Sequence, residues 1–127
     1  MRILLADDHA DVRWALRIFL REHLGLTVVG EVEHTDTLLV EALTLQPDLV
    51  VLDWELPGRP AGEIVDTLHR QQDSCQVVIL SHHPELQQAA LQAGADAFLC
   101  KTAPPQHVLA VLGELGARQA SRRPQAG

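Results

Sequence analysis

Five short apolar runs alternate with five helically patterned stretches along this chain, and that alternation restricts the fold more than any other feature of the sequence. The runs are residues 2–6 (RILLA), 27–32, 48–53 (DLVVLD), 76–80 (QVVIL) and 96–99. Between the first two, Val12, Leu16, Phe19, Leu20 and His23 recur at helical spacing, predicting a helix over about 9–24. A second stripe of Leu38, Leu39, Ala42 and Leu43 is closed by Pro47. A third, Ile64, Val65 and Leu68, follows a loop marked by Pro57, Gly58, Pro60 and Gly62. Leu86, Ala90 and Leu91 form a fourth, ended by Gly94, and Val108, Val111, Leu112 and Leu115 a fifth. An uninterrupted apolar run such as DLVVLD suits the centre of a parallel sheet covered on both faces. Strand–helix alternation implies right-handed βαβ units, hence a doubly wound α/β sandwich of five parallel strands with helices on both faces. At 127 residues the chain matches one domain. From Ala117 the stripe is lost, so a domain over 1–116 and a polar, Arg-rich tail or linker start over 117–127 are expected.

Composition narrows the function. Hydrophobic residues at 46% and charged ones at 21% exclude a disordered chain. No apolar run approaches the ~20 residues of a membrane span. Asp7 and Asp8 interrupt the apolar start before a signal peptide can develop. Cys75 and Cys100 have no CxxC spacing, so neither a disulfide framework nor a zinc site is expected, and a reducing cytoplasm is the natural compartment. The net charge is −7, and up to Gly116 seven basic residues face all 17 acids. So acidic a body repels phosphate backbones, which argues against nucleic-acid binding by this domain alone. Lys101 is the only lysine.

Ligands of open parallel sheets bind outside the carboxyl ends of the strands. There the pattern places Asp7 and Asp8 after the first strand, Asp53 at the third, Ser81 at the fourth and Lys101 after the fifth. Three converging carboxylates raise one another's pKa unless a cation relieves the repulsion, and an all-oxygen set of this size suits Mg²⁺. A carboxylate beside a hard cation and an ammonium is an arrangement for phosphoryl transfer. The positive charges neutralise the phosphoryl oxygens while the carboxylate attacks.

With those residues assembled, the chain resembles the receiver domain of two-component response regulators over roughly residues 1–115. The motifs that carry the likeness are Asp7-Asp8, DLVVLDWELPG, the Ser81 after VVIL, and GADAFLCK ending in Lys101. The resemblance implies a flavodoxin-like sheet in strand order 2-1-3-4-5. It further implies that Asp53 accepts phosphate from a sensor histidine kinase, with Mg²⁺ held by Asp8, Asp53 and the backbone carbonyl of Glu55 and assisted by Asp7. Lys101 would contact the phosphoryl group, Ser81 would swing toward it, and Phe98 would rotate inward in response. A homodimer formed on phosphorylation is a further implied partner. The opening ADDHADVR is most similar to the subfamily with nitrate- and quorum-type helix-turn-helix effectors, implying transcriptional control through a domain absent from these residues.

The chain departs from the family pattern in three places. Ala61 stands where the family has glycine, eight residues after Asp53, and Gly62 follows it, so the loop is expected to differ. His82 stands where a small residue usually follows the switch hydroxyl, predicting slower access for donor and water. Glu55 adds a negative side chain at the mouth. Other polar residues have plainer readings. His82 and His83 are loop residues, since adjacent positions share no helix face. His9 could lie near the acids, with solvent exposure at a helix start as the simpler reading; Cys100 is read as pointing into the core or a helix, and Trp14 and Trp54 as partly buried. Two other functions compete with the switch. An aspartate-nucleophile phosphatase-like enzyme would use Glu55 as acid/base, but Pro57 follows and there is no room for a cap. A phosphorylation-independent pseudo-receiver scaffold conflicts with the intact set of acid, hydroxyl and lysine. No GxGxxG or GxxxxGK[ST] follows the first strand, which counts against a nucleotide-binding enzyme. The expected product is a self-phosphorylating and self-dephosphorylating switch, not a turnover enzyme.

Overall fold

The computed structural model describes residues 1–122. Its strands are β1 (Arg2–Ala6), β2 (Thr27–Val32), β3 (Leu49–Asp53), β4 (Gln76–Ser81) and β5 (Ala97–Cys100). Its helices are α1 (Ala10–Leu24), α2 (Thr35–Leu45), α3 (Ala61–Gln71), α4 (Gln87–Gln92) and α5 (Pro105–Arg122), and a single 3-10 turn, Pro84–Leu86, precedes α4. The strands form one sheet in the order β2-β1-β3-β4-β5, all parallel, as expected.

Strand alternation divides the core into two layers. Leu4, Val50, Leu52, Val77, Ile79 and Phe98 face one side, where Leu38, Ile64, Val65, Leu68 and Ala90 of α2, α3 and α4 meet them. Ile3, Leu5, Leu49, Val51, Val78, Leu80 and Leu99 face the other, against Leu20 of α1 and Leu112 and Leu115 of α5. All five residues of β3 are buried, which explains its lack of alternation.

One boundary has to be corrected. Residues 117–122 are not a tail but the continuation of α5. The apolar stripe fades there, yet tertiary contacts hold the helix to the bottom of the sheet. Gln119 is buried and donates through Nε2 to the carbonyls of Asp48 (2.9 Å) and Ser74 (2.6 Å). Arg118 donates through Nη1 to the carbonyl of Asp96 at 3.4 Å. Residues 123–127 of the expected tail lie outside the described residues. Smaller differences follow hydrogen bonding: β4 extends through Ser81, and β5 runs Ala97–Cys100 because Asp96 instead caps Val77 N through its carboxylate at 2.7 Å.

The loop after β3 also resolves the displaced glycine. Ala61 is buried as the first residue of α3 and has no positive φ, so that position needs no glycine here. The left-handed position is Gly58, at φ 116°, and a Cβ there would overlap the Thr35 hydroxyl. Two bonds lock this close approach: Thr35 N donates to Pro57 O (3.0 Å), and Arg59 N donates to Thr35 Oγ1 (2.9 Å).

Candidate functional site

The carboxyl ends of β1, β3 and β5 bring three charged groups into one buried cluster. Asp7 follows Ala6, which is level with Leu52 across the β1–β3 ladder, so Asp7 and Asp53 lie side by side. Lys101 follows the last residue of β5, and its backbone N–H donates to Ser81 O at 2.7 Å. Its ammonium reaches Asp7 Oδ2 at 2.8 Å and Asp53 Oδ2 at 3.2 Å, with all three side chains at most 5% exposed. The second oxygens are held by backbone: Asp7 Oδ1 accepts from His9 N (2.8 Å), and Asp53 Oδ1 accepts from Glu55 N (3.0 Å). Burial pulls the Lys101 pKa down, but the hydrogen bond to Asp7 and the charges of Asp53 and Asp7 outweigh it, so the net direction is upward. Lys101 is therefore an ammonium at neutral pH.

One ammonium does not balance two buried carboxylates plus Asp8, which stands half-open beside them. One donor atom each from Asp7, Asp8, His9 and Asp53 lies within 4.8 Å of the others, and this acidic pocket can hold a metal ion. The donors fit a divalent cation because its charge offsets the surplus negative charge.

Ser81 ends β4, buried, and its Oγ accepts from His83 N at 3.0 Å. It thus borders the acid cluster while its hydrogen bond serves the β4–α4 turn. Phe98 lies on the same sheet face, level with Ile79, its ring already packed inward in the core. The Glu55 side chain points outward, and its carboxylate lies 3.5 Å from His83 Nε2. His82 and His83 are exposed loop residues, as expected. Trp54 is partly buried against the core, whereas Trp14 is not: it is 58% exposed on α1, contrary to the partial burial expected. Cys100 is partly buried, and its Sγ lies 3.1 Å from Thr102 Oγ1, whose hydrogen bonds lower the thiol pKa.

Arg13 escaped the sequence reading, and His9 takes the place near the acids that was its second reading there. His9 is solvent-exposed, as expected, but its Nδ1 also lies 3.0 Å from Asp7 Oδ1 and 3.2 Å from Asp8 Oδ1. The hydrogen bond to Asp7 and then the charge of Asp8 raise its pKa. Its adjacency to the acid pair was the available signal. Arg13 is nearly buried on α1 and donates from Nη1 to the backbone carbonyl of Asp7 (2.5 Å), from Nε to Glu31 (3.2 Å) and from Nη2 to Glu33 (2.9 Å). No local pattern announces that clamp, because its carboxylates arrive from the far end of β2.

A parallel α/β sheet with a buried acid–lysine cluster at its carboxyl edge defines a class of small acidic-pocket domains suited to phosphoryl chemistry. Comparison with known proteins places the chain within that class: the response regulator receiver domain family matches residues 3–113, and the chain belongs to it. It is 34% identical over 117 residues to the nitrate/nitrite response regulator protein NarL of Escherichia coli, a match covering 91% of this chain and 54% of that protein. It is 38% identical over 111 residues to the transcriptional activator protein ExaE of Pseudomonas putida, covering 86% and 52%. The solved signal receiver domain of NarL from Mycobacterium tuberculosis superposes with a TM-score of 0.81 at 28% identity, covering 92% of this chain and 97% of that one. The chain spans about half the length of the curated relatives it matches. These relatives agree with the nitrate- and quorum-type likeness of its opening residues. No helix among the described residues is long and apolar enough to cross a membrane.

Proposed function

We propose that this chain is a phosphoacceptor switch in which Asp53 takes a phosphoryl group from the phosphohistidine of a sensor histidine kinase, with Mg²⁺ held by Asp7, Asp8, Asp53 and the backbone carbonyl of Glu55. The observation that carries this reading is the buried Asp53 carboxylate, 3.2 Å from the Lys101 ammonium and grouped with the donor atoms of Asp7 and Asp8. When bound, the cation supplies charge neutralisation for the phosphoryl oxygens. An Asp53 oxygen forms the new P–O bond as the donor's P–N bond breaks, and that bond's electron pair stays on the imidazole nitrogen. Lys101 releases Asp53 Oδ2 and pairs with a phosphoryl oxygen. Ser81 keeps its carbonyl bond to Lys101 N while its hydroxyl leaves His83 N and donates to the phosphoryl group. Phe98, already inward on the same face, holds the rearranged turn in place. The altered surface near β4, α4 and β5 then binds an effector domain or a second copy, so that the output is transcriptional and the compartment cytoplasmic.

The switch is its own substrate, phosphorylated and dephosphorylated once per cycle, and not a turnover enzyme. A phosphatase would need Glu55 aimed at the reacting atoms, whereas its side chain is 66% exposed and faces His83. Intact-mass spectrometry after incubation with Mg²⁺ and a small phosphodonor tests the reading. The parent should gain one phosphoryl group, lost with chelator and absent from Asp53→Asn. Turnover of the donor without any adduct in the parent would overturn it.

A further inference from the structure

His9 is the residue immediately before α1, and its side chain makes no capping bond to the first turn. Its backbone N–H is instead tied to Asp7 Oδ1, and its ring turns to the acids, with Nδ1 3.0 Å from Asp7 Oδ1 and 3.2 Å from Asp8 Oδ1. Neighbouring ligands of an octahedral ion with bonds of about 2.1 Å are separated by about 3.0 Å. Both measured gaps sit at that spacing, and Asp53 completes a group whose donor atoms all lie within 4.8 Å. Three of these donors are carboxylates and the fourth is an imidazole nitrogen. Mg²⁺ draws little from nitrogen, whereas cobalt, nickel and zinc bind it readily.

We propose that His9 is a fourth side-chain ligand of the acid pocket and shifts its preference from Mg²⁺ toward first-row transition metal ions. This inference rests on the cation-site reading given above. The ring lies at the open side of the pocket, 55% exposed, so it can turn onto a metal without disturbing the buried pair Asp7 and Lys101. Such a metal would compete with Mg²⁺ for the carboxylates that prepare Asp53, which makes the pocket responsive to the transition-metal load of its surroundings.

The test is calorimetric titration of the whole chain with CoCl₂ and separately with MgCl₂, for the parent, His9→Ala and His9→Asp. Thermal melts confirm that each variant is folded. The ratio of the Co²⁺ to the Mg²⁺ association constant should fall at least about tenfold in both variants, since each loses the nitrogen donor. The visible absorption of bound Co²⁺ should change with it. A ratio within about twofold of the parent in His9→Ala, with Mg²⁺ still bound, overturns the role of His9 and leaves the cation reading standing. A ratio retained in His9→Asp overturns it too, because charge and not imidazole would then set the preference. Failure of the parent to bind either ion overturns both readings.

Discussion

The floor of the site and its β4–α4 rim are built to different standards. On the floor, Asp7, Asp53 and Lys101 are nearly inaccessible, the carboxylates are gripped on both oxygens, and Arg13 and the Thr35–Gly58 stitch brace the loops that carry them. At the rim, residues 82–85 are all exposed, and α4 is six residues long with Ala90 as its one buried residue. Chemistry at an aspartate requires groups fixed before the donor arrives. A switch requires an element whose rearrangement costs little, and such elements come from the part of a fold with the fewest buried contacts. In the switch proposed above, the difference between floor and rim would separate reaction from response.

Substitutions can break that contrast in graded steps. Leu52, fully buried in β3 beside Asp53, should give the largest effect. Leu52→Ala is expected to cost about 2–5 kcal/mol, read from urea unfolding. Gly58→Ala comes next at about 1–3 kcal/mol, because it combines a left-handed φ with overlap at Thr35. Measured against Thr35→Ala alone, its unfolding midpoint should recover on adding Thr35→Ala, which removes the overlapping hydroxyl, only if steric overlap, and not φ, is the larger component.

The third test uses pH. The folded pKa of Lys101 is raised above its ordinary 10.5, so its ion pairs contribute stability fully below that value and lose it as pH climbs through the folded value. Melting temperatures recorded from about pH 10 to 12 should show an alkaline decline in the parent, beginning above the ordinary lysine value, that is shallower in Lys101→Met. Equal slopes would mean that the buried cluster does not hold this lysine charged. The smallest effect belongs to the rim: Leu91→Ala on α4, 44% exposed, should alter stability by no more than about 0.5 kcal/mol. A loss comparable to that of Leu52→Ala would remove the distinction between floor and rim.

Most of the fold was legible in the sequence. Short apolar runs and stripes of period 3.6 are local properties of side chains that must be buried, so the five strands and five helices, the parallel sheet and the edge where Asp7, Asp53, Ser81 and Lys101 gather could be read residue by residue. The end of α5 could not, because a buried Gln119 bonded to two distant carbonyls looks in sequence like the polar start of a linker. The exposure of Trp14 was equally hidden, since a large ring off the apolar stripe gives no indication of whether a neighbouring element covers it.

Within the site, the sequence by itself determined which chemical groups are present and, through the strand-end rule, that they share one edge. Tertiary structure alone decided how they are partnered. Lys101 bridges Asp7 and Asp53, Arg13 reaches from α1 to Glu31 and Glu33 of the β2 end, and the His9 ring faces the acids. The physical reason is the range of the forces involved. Burial patterns repeat along the chain and print themselves on the sequence. Hydrogen bonds and ion pairs between residues far apart in the chain depend on distances of about 3 Å that exist only after the sheet has closed.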